Sequence, residues 1–175
     1  MIDHTDLNRK LRQLVRHCTG LSETEVRPAN QLGPATGDRW ATVLILNLRA
    51  PGPSFNTWSD VSPTQVKETE GTHYQCTVSI QFFRQDAVAL ANKLRDRVSL
   101  SSALQLMQDL GLGYVSAKPV RNLAGVVNSN WEERAQVDMD FHVCGIEEET
   151  INAFAKFPVS VSNGNSSTST EVIQP

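Results

Sequence analysis

No apolar run in this chain approaches the ~20 residues that cross a bilayer. The first ten residues, MIDHTDLNRK, are polar and have no hydrophobic signal core. Membrane insertion and secretion are therefore not expected. Cysteine is scarce: Cys18, Cys76 and Cys144 lie far apart and are odd in number. No CxxC and no His/Cys ligand spacing occurs, which argues against a disulfide framework or a zinc site and for three reduced thiols. Catalytic signatures are missing too. There is no GxSxG nucleophile elbow and no GxxxxGK[ST] phosphate loop. Gly111-Leu112-Gly113 lacks a third glycine and follows a helical pattern, so it reads as a helix stop. His4, His17, His73 and His142 form no local motif. An enzyme is not expected, and no catalytic, cofactor-binding or metal-ligating residues are assigned. The net charge of −3 argues against strong nonspecific nucleic-acid binding by the whole chain.

What is present is strict alternation. In Trp131–Val143, WEERAQVDMDFHV, the apolar Ala135, Val137, Met139, Phe141 and Val143 alternate with Arg134, Gln136, Asp138, Asp140 and His142. A period of two means a strand with one buried and one wet face. Tyr74–Phe82 repeats the pattern, with Tyr74, Cys76, Val78, Ile80 and Phe82 inward. Helical spacing governs Asp6–Cys18, where Leu7, Leu11, Leu14, Val15 and Cys18 form one face, Asp3 or Thr5 is the cap and Gly20 the stop. A second helix spans Asp86–Ser99 after a Gln85-Asp86 cap, with Ala87, Leu90, Ala91, Leu94 and Val98 buried. A third runs from a Ser101 or Ser102 cap to Leu110. Half-wet strands with intervening helices predict an α+β fold: a single domain with a mixed, mostly antiparallel β-sheet flanked by two to three α-helices.

The remaining segments complete the order. Glu25–Leu32 reads as an irregular connector. Trp40–Leu48, nearly all apolar, reads as a central strand covered on both faces. Ala50–Pro63, with three prolines and a glycine, reads as a long loop leading to a short strand, Thr64–Glu68. Leu112–Lys118 is a strand, and Val120–Asn130 a bend. Beyond Gly145 the alternation decays, and Val159–Ser162 could add an edge strand. The expected boundaries are a domain over 1–160 and a flexible tail over 161–175, where Ser, Asn and Thr dominate.

Two clusters invite a chemical reading. Asp138, Asp140 and His142 are ligand types, but alternate residues on a strand face stand ~6–7 Å apart and do not close on one ion unaided. Arg9, Arg12 and Arg16 share a helix face, which fits a solvated surface better than a DNA contact. Large aromatics are a different matter. Phe55 and Trp58 in the long segment either fold back on the domain or anchor an interface. Arg121, Trp131, Glu132, Glu133 and Arg134 gather before the last strand, where Trp131 either caps the core or joins the charged residues in subunit contacts.

The order of elements and several local phrases resemble the tail terminator or neck terminator proteins of tailed bacteriophages. The phrases are Val26-Arg27-Pro28-Ala29-Asn30-Gln31, Tyr74–Arg84 followed by Asp86-Ala87, Gly111-Leu112-Gly113-Tyr114, Arg121-Asn122-Leu123 and Trp131–Phe141. The resemblance covers roughly Asp6 to Val143. It implies a non-enzymatic virion protein without cofactors that forms a ring, usually a hexamer, at the head-proximal end of the tail. Such a ring stops growth of the tail tube and meets the tail tube protein and the neck stopper, connector or portal-proximal proteins. Genomic DNA passes through its lumen without sequence-specific binding. Phe55, Trp58, Arg84, Arg121, Asn122, Trp131, Glu132, Glu133 and Arg134 are the interface candidates. Another neck stopper, connector or tail-completion protein is the nearest alternative; a small enzyme or a nucleic-acid module is further off.

Overall fold

In a computed structural model, residues 2–30, 37–62, 64–127, 129–152, 156–163 and 166–173 are described, the last two stretches and Val127 as backbone. Helix α1, His4–Thr19, starts where the Asp3 carboxylate accepts the Thr5 N–H at 2.7 Å. It ends at Gly20, whose φ of 80° is the left-handed cap that glycine adopts without a Cβ penalty. Then follow β1 (Val26–Pro28), β2 (Arg39–Arg49), β3 (Phe55–Ser62), β4 (Gln65–Arg84), α2 (Ala87–Arg97) and α3 (Ser101–Leu110). The chain continues through β5 (Leu112–Ala117), β6 (Arg121–Asn122), β7 (Gly125–Val127), β8 (Asn130–Glu132), β9 (Arg134–Asn152), β10 (Lys156–Asn163) and β11 (Ser166–Ile173).

The expected α+β class and mixed sheet are found. A seven-stranded sheet has the order β1-β2-β4-β9-β5, with β3 also on β4 and β6 also on β9. β1 joins β2 in parallel, whereas β2–β4, β3–β4, β5–β9 and β6–β9 are antiparallel. β7 with β8, and β10 with β11, form separate two-stranded sheets.

The chain divides into two compact units, one of Met1–Pro53 with His73–Gly145 and one of Ser54–Thr72 with Ile146–Pro175. The first holds the core. Ala41 and Val43 of β2, Cys76, Val78, Ile80 and Phe82 of β4, and Ala135 to Val143 at alternate positions of β9 are buried. They form one cluster with the apolar stripes of α1 (Leu7, Leu11, Leu14, Val15, Cys18), α2 (Ala87, Leu90, Ala91, Leu94) and α3 (Ala103, Met107). Each large side chain so buried stabilises the fold by about 1.5–3 kcal/mol. The second unit comprises β3, the first part of β4, the last part of β9 and the β10–β11 hairpin.

Several expectations are corrected. The centre of the sheet is β4 with β9, not the Trp40–Leu48 strand, and that strand is not covered on both faces. A bulge between Ile45 and Asn47 breaks its alternation, and Leu46 is left 52% exposed. The long loop of 50–63 contains strand β3, because its prolines flank Phe55–Ser62 and leave that span free to pair. Thr64–Glu68 and Tyr74–Phe83 are parts of one strand of 20 residues, β4. Gly71 does not interrupt it, since the Phe55 ring lies over Gly71 where a Cβ would otherwise stand. The connector after α1 contains β1. The bend of 120–130 contains β6 and the β7–β8 hairpin. The strand read as Trp131–Val143 is divided at Glu133 and extends to Asn152. Asp86 has φ 61° and makes no side-chain cap bond, and Leu100 rather than a serine precedes α3. Val159–Ser162 lies in β10, which pairs with β11 rather than with the main sheet.

Candidate assembly surface

The second face of the β4–β9 pair, turned away from the core by the period of two, carries a continuous polar ladder. Gln136 Nε2 donates to Ser79 Oγ at 2.7 Å and to Asp138 Oδ1 at 2.9 Å. Arg121 Nη2 donates to Asp138 Oδ2 at 2.8 Å. Thr77 Oγ1 and Ser116 Oγ donate to the two oxygens of Asp140 at 2.7 and 3.1 Å. The two carboxylates are thus engaged with donors from β4, β5 and β6, and this is structural hydrogen bonding rather than a ligand set. Asp138 is only 8% exposed, so the face read as wet is partly closed.

At one end of this face Trp40 and Phe83 stack with ring centroids 3.9 Å apart and planes at 7°. The Arg134 guanidinium carbon lies 4.9 Å from the Phe83 centroid, a cation–π contact, and Arg134 Nη2 donates to Gln81 Oε1. Two buried donors here, Trp40 Nε1 and Arg134 Nε, have no hydrogen-bond partner.

The same region gathers seven of the nine interface candidates. The Arg84 N–H donates to the Glu133 carbonyl at 2.7 Å, and Arg84 Nη1 to the Gly37 carbonyl at 2.7 Å. Glu133 Oε1 accepts the Val88 N–H at 3.4 Å, near the start of α2, where a carboxylate suits the positive helix end. The Leu123 N–H donates to the Arg134 carbonyl at 2.7 Å, and Asn122 Oδ1 accepts the Ala124 N–H at 3.0 Å in an Asx turn. Arg84, Arg121, Asn122, Glu133 and Arg134 therefore make defined contacts within their own unit. Trp131 and Glu132 differ. They lie on β8 of the β7–β8 hairpin, where Trp131 faces Val126 across the strands. Trp131 is 72% and Val126 70% exposed. Trp131 does not cap the core.

Phe55 and Trp58 belong to the other unit. Phe55 partly folds back, its ring covering Gly71, whereas Trp58 opposite Glu68 is 62% exposed. In this unit Glu68, Glu70, Glu147, Glu148 and Glu149 line one concavity, and Lys67 Nζ meets Glu148 Oε2 at 2.7 Å.

Sequence reasoning missed Val126 because it lies in a segment read as a bend, which hid its pairing with Trp131. It also missed Val61, Leu100 at the N-cap of α3 and Leu104 within that helix, all exposed. The i, i+4 spacing of the two leucines was a usable signal. The arginine stripe of α1 is locally occupied: Arg9 pairs with Asp6 at 2.5 Å, Arg12 Nε donates to Asn8 Oδ1 at 3.1 Å, and Arg16 pairs with Glu23 at 3.3 Å.

Burial pushes the Cys18 and Cys76 thiols up to about 11, which keeps them protonated and inert, while Cys144 is exposed. No helix among the described residues is long and apolar enough to cross a membrane.

A family model described as phage neck terminator protein matches residues 5–165. No curated protein matches the chain.

Proposed function

The chain belongs to the phage neck terminator protein family, a structural rather than enzymatic family of the virion tail and neck, and on that premise we propose that it forms a ring, a hexamer, at the head-proximal end of the tail. The ring caps the last layer of tail tube protein and meets a neck stopper or connector on its other side. The observation that carries this reading is the pair of large exposed side chains on the β7–β8 hairpin, Trp131 and Val126. An exposed tryptophan on a hairpin is the residue type that dominates protein interfaces when buried in a partner. Trp58 and Val61 on β3 offer a second, different apolar patch. Two unlike patches on one chain are what a heterologous ring contact needs.

The charge distribution suits DNA transit. Phosphate binding needs lysine and arginine to displace counterions. Arg9 and Arg16 of α1 are paired with local carboxylates, and the glutamates of the second unit repel phosphate. In this reading genomic DNA passes through the lumen without being held. Assembly takes place in the host cytoplasm before the tail joins the head.

Electron microscopy and native mass spectrometry of the purified protein, alone and with tube protein, test the proposal. Rings are expected, and phage lacking the protein should make overlong tails. A protein that stays monomeric with tube and neck partners present would sink it.

A further inference from the structure

The hairpin that carries Trp131 and Val126 pairs with no other strand among the described residues. A two-stranded ribbon is marginal on its own in water. Its two large side chains are too exposed to anchor it on the core. Its direction is therefore set at its base. That base is a lapse in one longer ribbon. β6 pairs with β9 through Arg121–Gln136 and Asn122–Ala135, and β7 with β8 through Gly125–Glu132 and Val126–Trp131. Both ladders follow a single register, so the hairpin continues the β6–β9 ribbon. Between them the strand structure lapses at Leu123 and Ala124 on one side and at Glu133 on the other. Such a joint, exposed and thin in contacts, is where local opening is easiest.

Two side-chain oxygens pin this joint, one on each strand. Asn122 Oδ1 accepts the Ala124 N–H at 3.0 Å and fixes the step into β7. On the return strand the Glu133 carbonyl accepts the Arg84 N–H at 2.7 Å, and Glu133 Oε1 accepts the Val88 N–H at 3.4 Å. Asp86, at the N-cap of α2, makes no side-chain cap bond. Glu133 thus supplies, from 45 residues further along the chain, an acceptor that the start of α2 lacks locally. The apolar stripe of α2 belongs to the core cluster, so the carboxylate ties the joint to the most firmly packed part of its unit.

We infer that Asn122 and Glu133 are positioning residues, whose side-chain oxygens fix the direction in which the hairpin presents Trp131 and Val126 for assembly. They act through those two side chains and are not themselves partner contacts. A hairpin already held in its binding direction meets its partner without a further ordering cost. If only about a tenth of the chains held that direction, the apparent affinity would fall about tenfold with every contact residue unchanged.

The inference rests on the ring reading, and two measurements keep them apart. In full-length Cys144→Ser protein, nitroxide labels are placed at Val126→Cys on the hairpin and Gln108→Cys on α3, both exposed positions. Cys18 and Cys76 are buried and stay unlabelled. Pulsed electron paramagnetic resonance then reads the distance between the labels in unassembled protein. A single narrow peak is expected, and it should be lost in Asn122→Ala and in Glu133→Ala. Asn122→Asp and Glu133→Gln keep an acceptor oxygen and should keep the peak. Asn122 is exposed, so its alanine variant leaves the core intact even where Glu133→Ala loosens α2. Without labels, the alanine variants should need about tenfold more protein to form rings by native mass spectrometry. The conservative variants should assemble near the wild-type concentration. A narrow peak that survives both alanine substitutions overturns the positioning role and leaves the ring reading standing; weaker assembly with the peak intact makes the two residues direct contacts. A broad distribution in the parent, or in the conservative variants, overturns it in the same way. A wild-type protein that forms no ring overturns both.

Discussion

In the unit of Met1–Pro53 and His73–Gly145, apolar side chains from three helices and a sheet meet in one buried cluster. In the unit of Ser54–Thr72 and Ile146–Pro175, no large apolar side chain among the described residues is buried, and Phe55, Trp58, Val61, Ile146 and Ile151 are exposed. The strands β4 and β9 run through both, so strand propensity alone does not separate them. The difference lies in what covers the strands. Where α1, α2 and α3 supply an apolar layer, the sheet is a core. Without such a layer, a ribbon of strands is marginal on its own in water. Among the described residues of the second unit, the large apolar side chains lie at the surface.

The sharpest way to break this comparison is to cut into each unit in turn. Phe82→Ala removes a fully buried ring beneath the helices and should cost about 3–5 kcal/mol in urea unfolding. Loss of less than about 1 kcal/mol would show that the first unit is not the stability core. Removal of Arg121 comes next. It strips Asp138, 8% exposed, of the charged partner it has among the described residues and leaves Gln136 as donor. Arg121→Ala should cost about 1–3 kcal/mol, and Asp138→Asn in the same protein should recover part of it. No recovery would mean that Arg121 acts through packing and not through the carboxylate.

Trp58→Ala and Trp131→Ala should change unfolding free energy by no more than about 0.5 kcal/mol, since neither side chain is buried. Their effect should fall on assembly, read as lost rings by native mass spectrometry. A large stability loss without a change in assembly would reassign them to their own units.

The helical stripes and the inner faces of β4 and β9 were legible because burial imposes a period, and Leu7, Leu11, Leu14, Ala135 to Val143 and the α2 stripe all fall where the period puts them. β3 was not legible. Its alternation is weak because almost every residue is exposed, and exposure imposes no pattern. The same holds for β9 beyond Gly145. The aromatic candidates were found by type, since tryptophan stands out in any context. Their partners, Val126 across from Trp131 and Gly71 beneath Phe55, depend on strand register and needed the fold. The Asp138–Asp140 pair shows the converse: composition suggested ligands, and register supplied Arg121, Gln136, Thr77 and Ser116 as donors.

The buried thiols sharpen the contrast from the side of the core. Burial raises Cys18 and Cys76 from the ordinary 9.0 to about 11 in the folded chain. A thiol is neutral when protonated, so the unfolded chain loses these protons first as pH rises. The stability they contribute is therefore full below pH 9, falls between 9 and about 11, and is lost above the folded value. Unfolding by urea should show this decline in the wild type, and less of it in Cys18→Ala measured against its own value at pH 8. At pH 8 an aromatic disulfide reagent should label Cys144 rapidly and Cys18 and Cys76 only on unfolding. Fast labelling of all three thiols in the native protein would show that the helix–sheet core opens readily, and would erase the distinction between a closed unit and an open one.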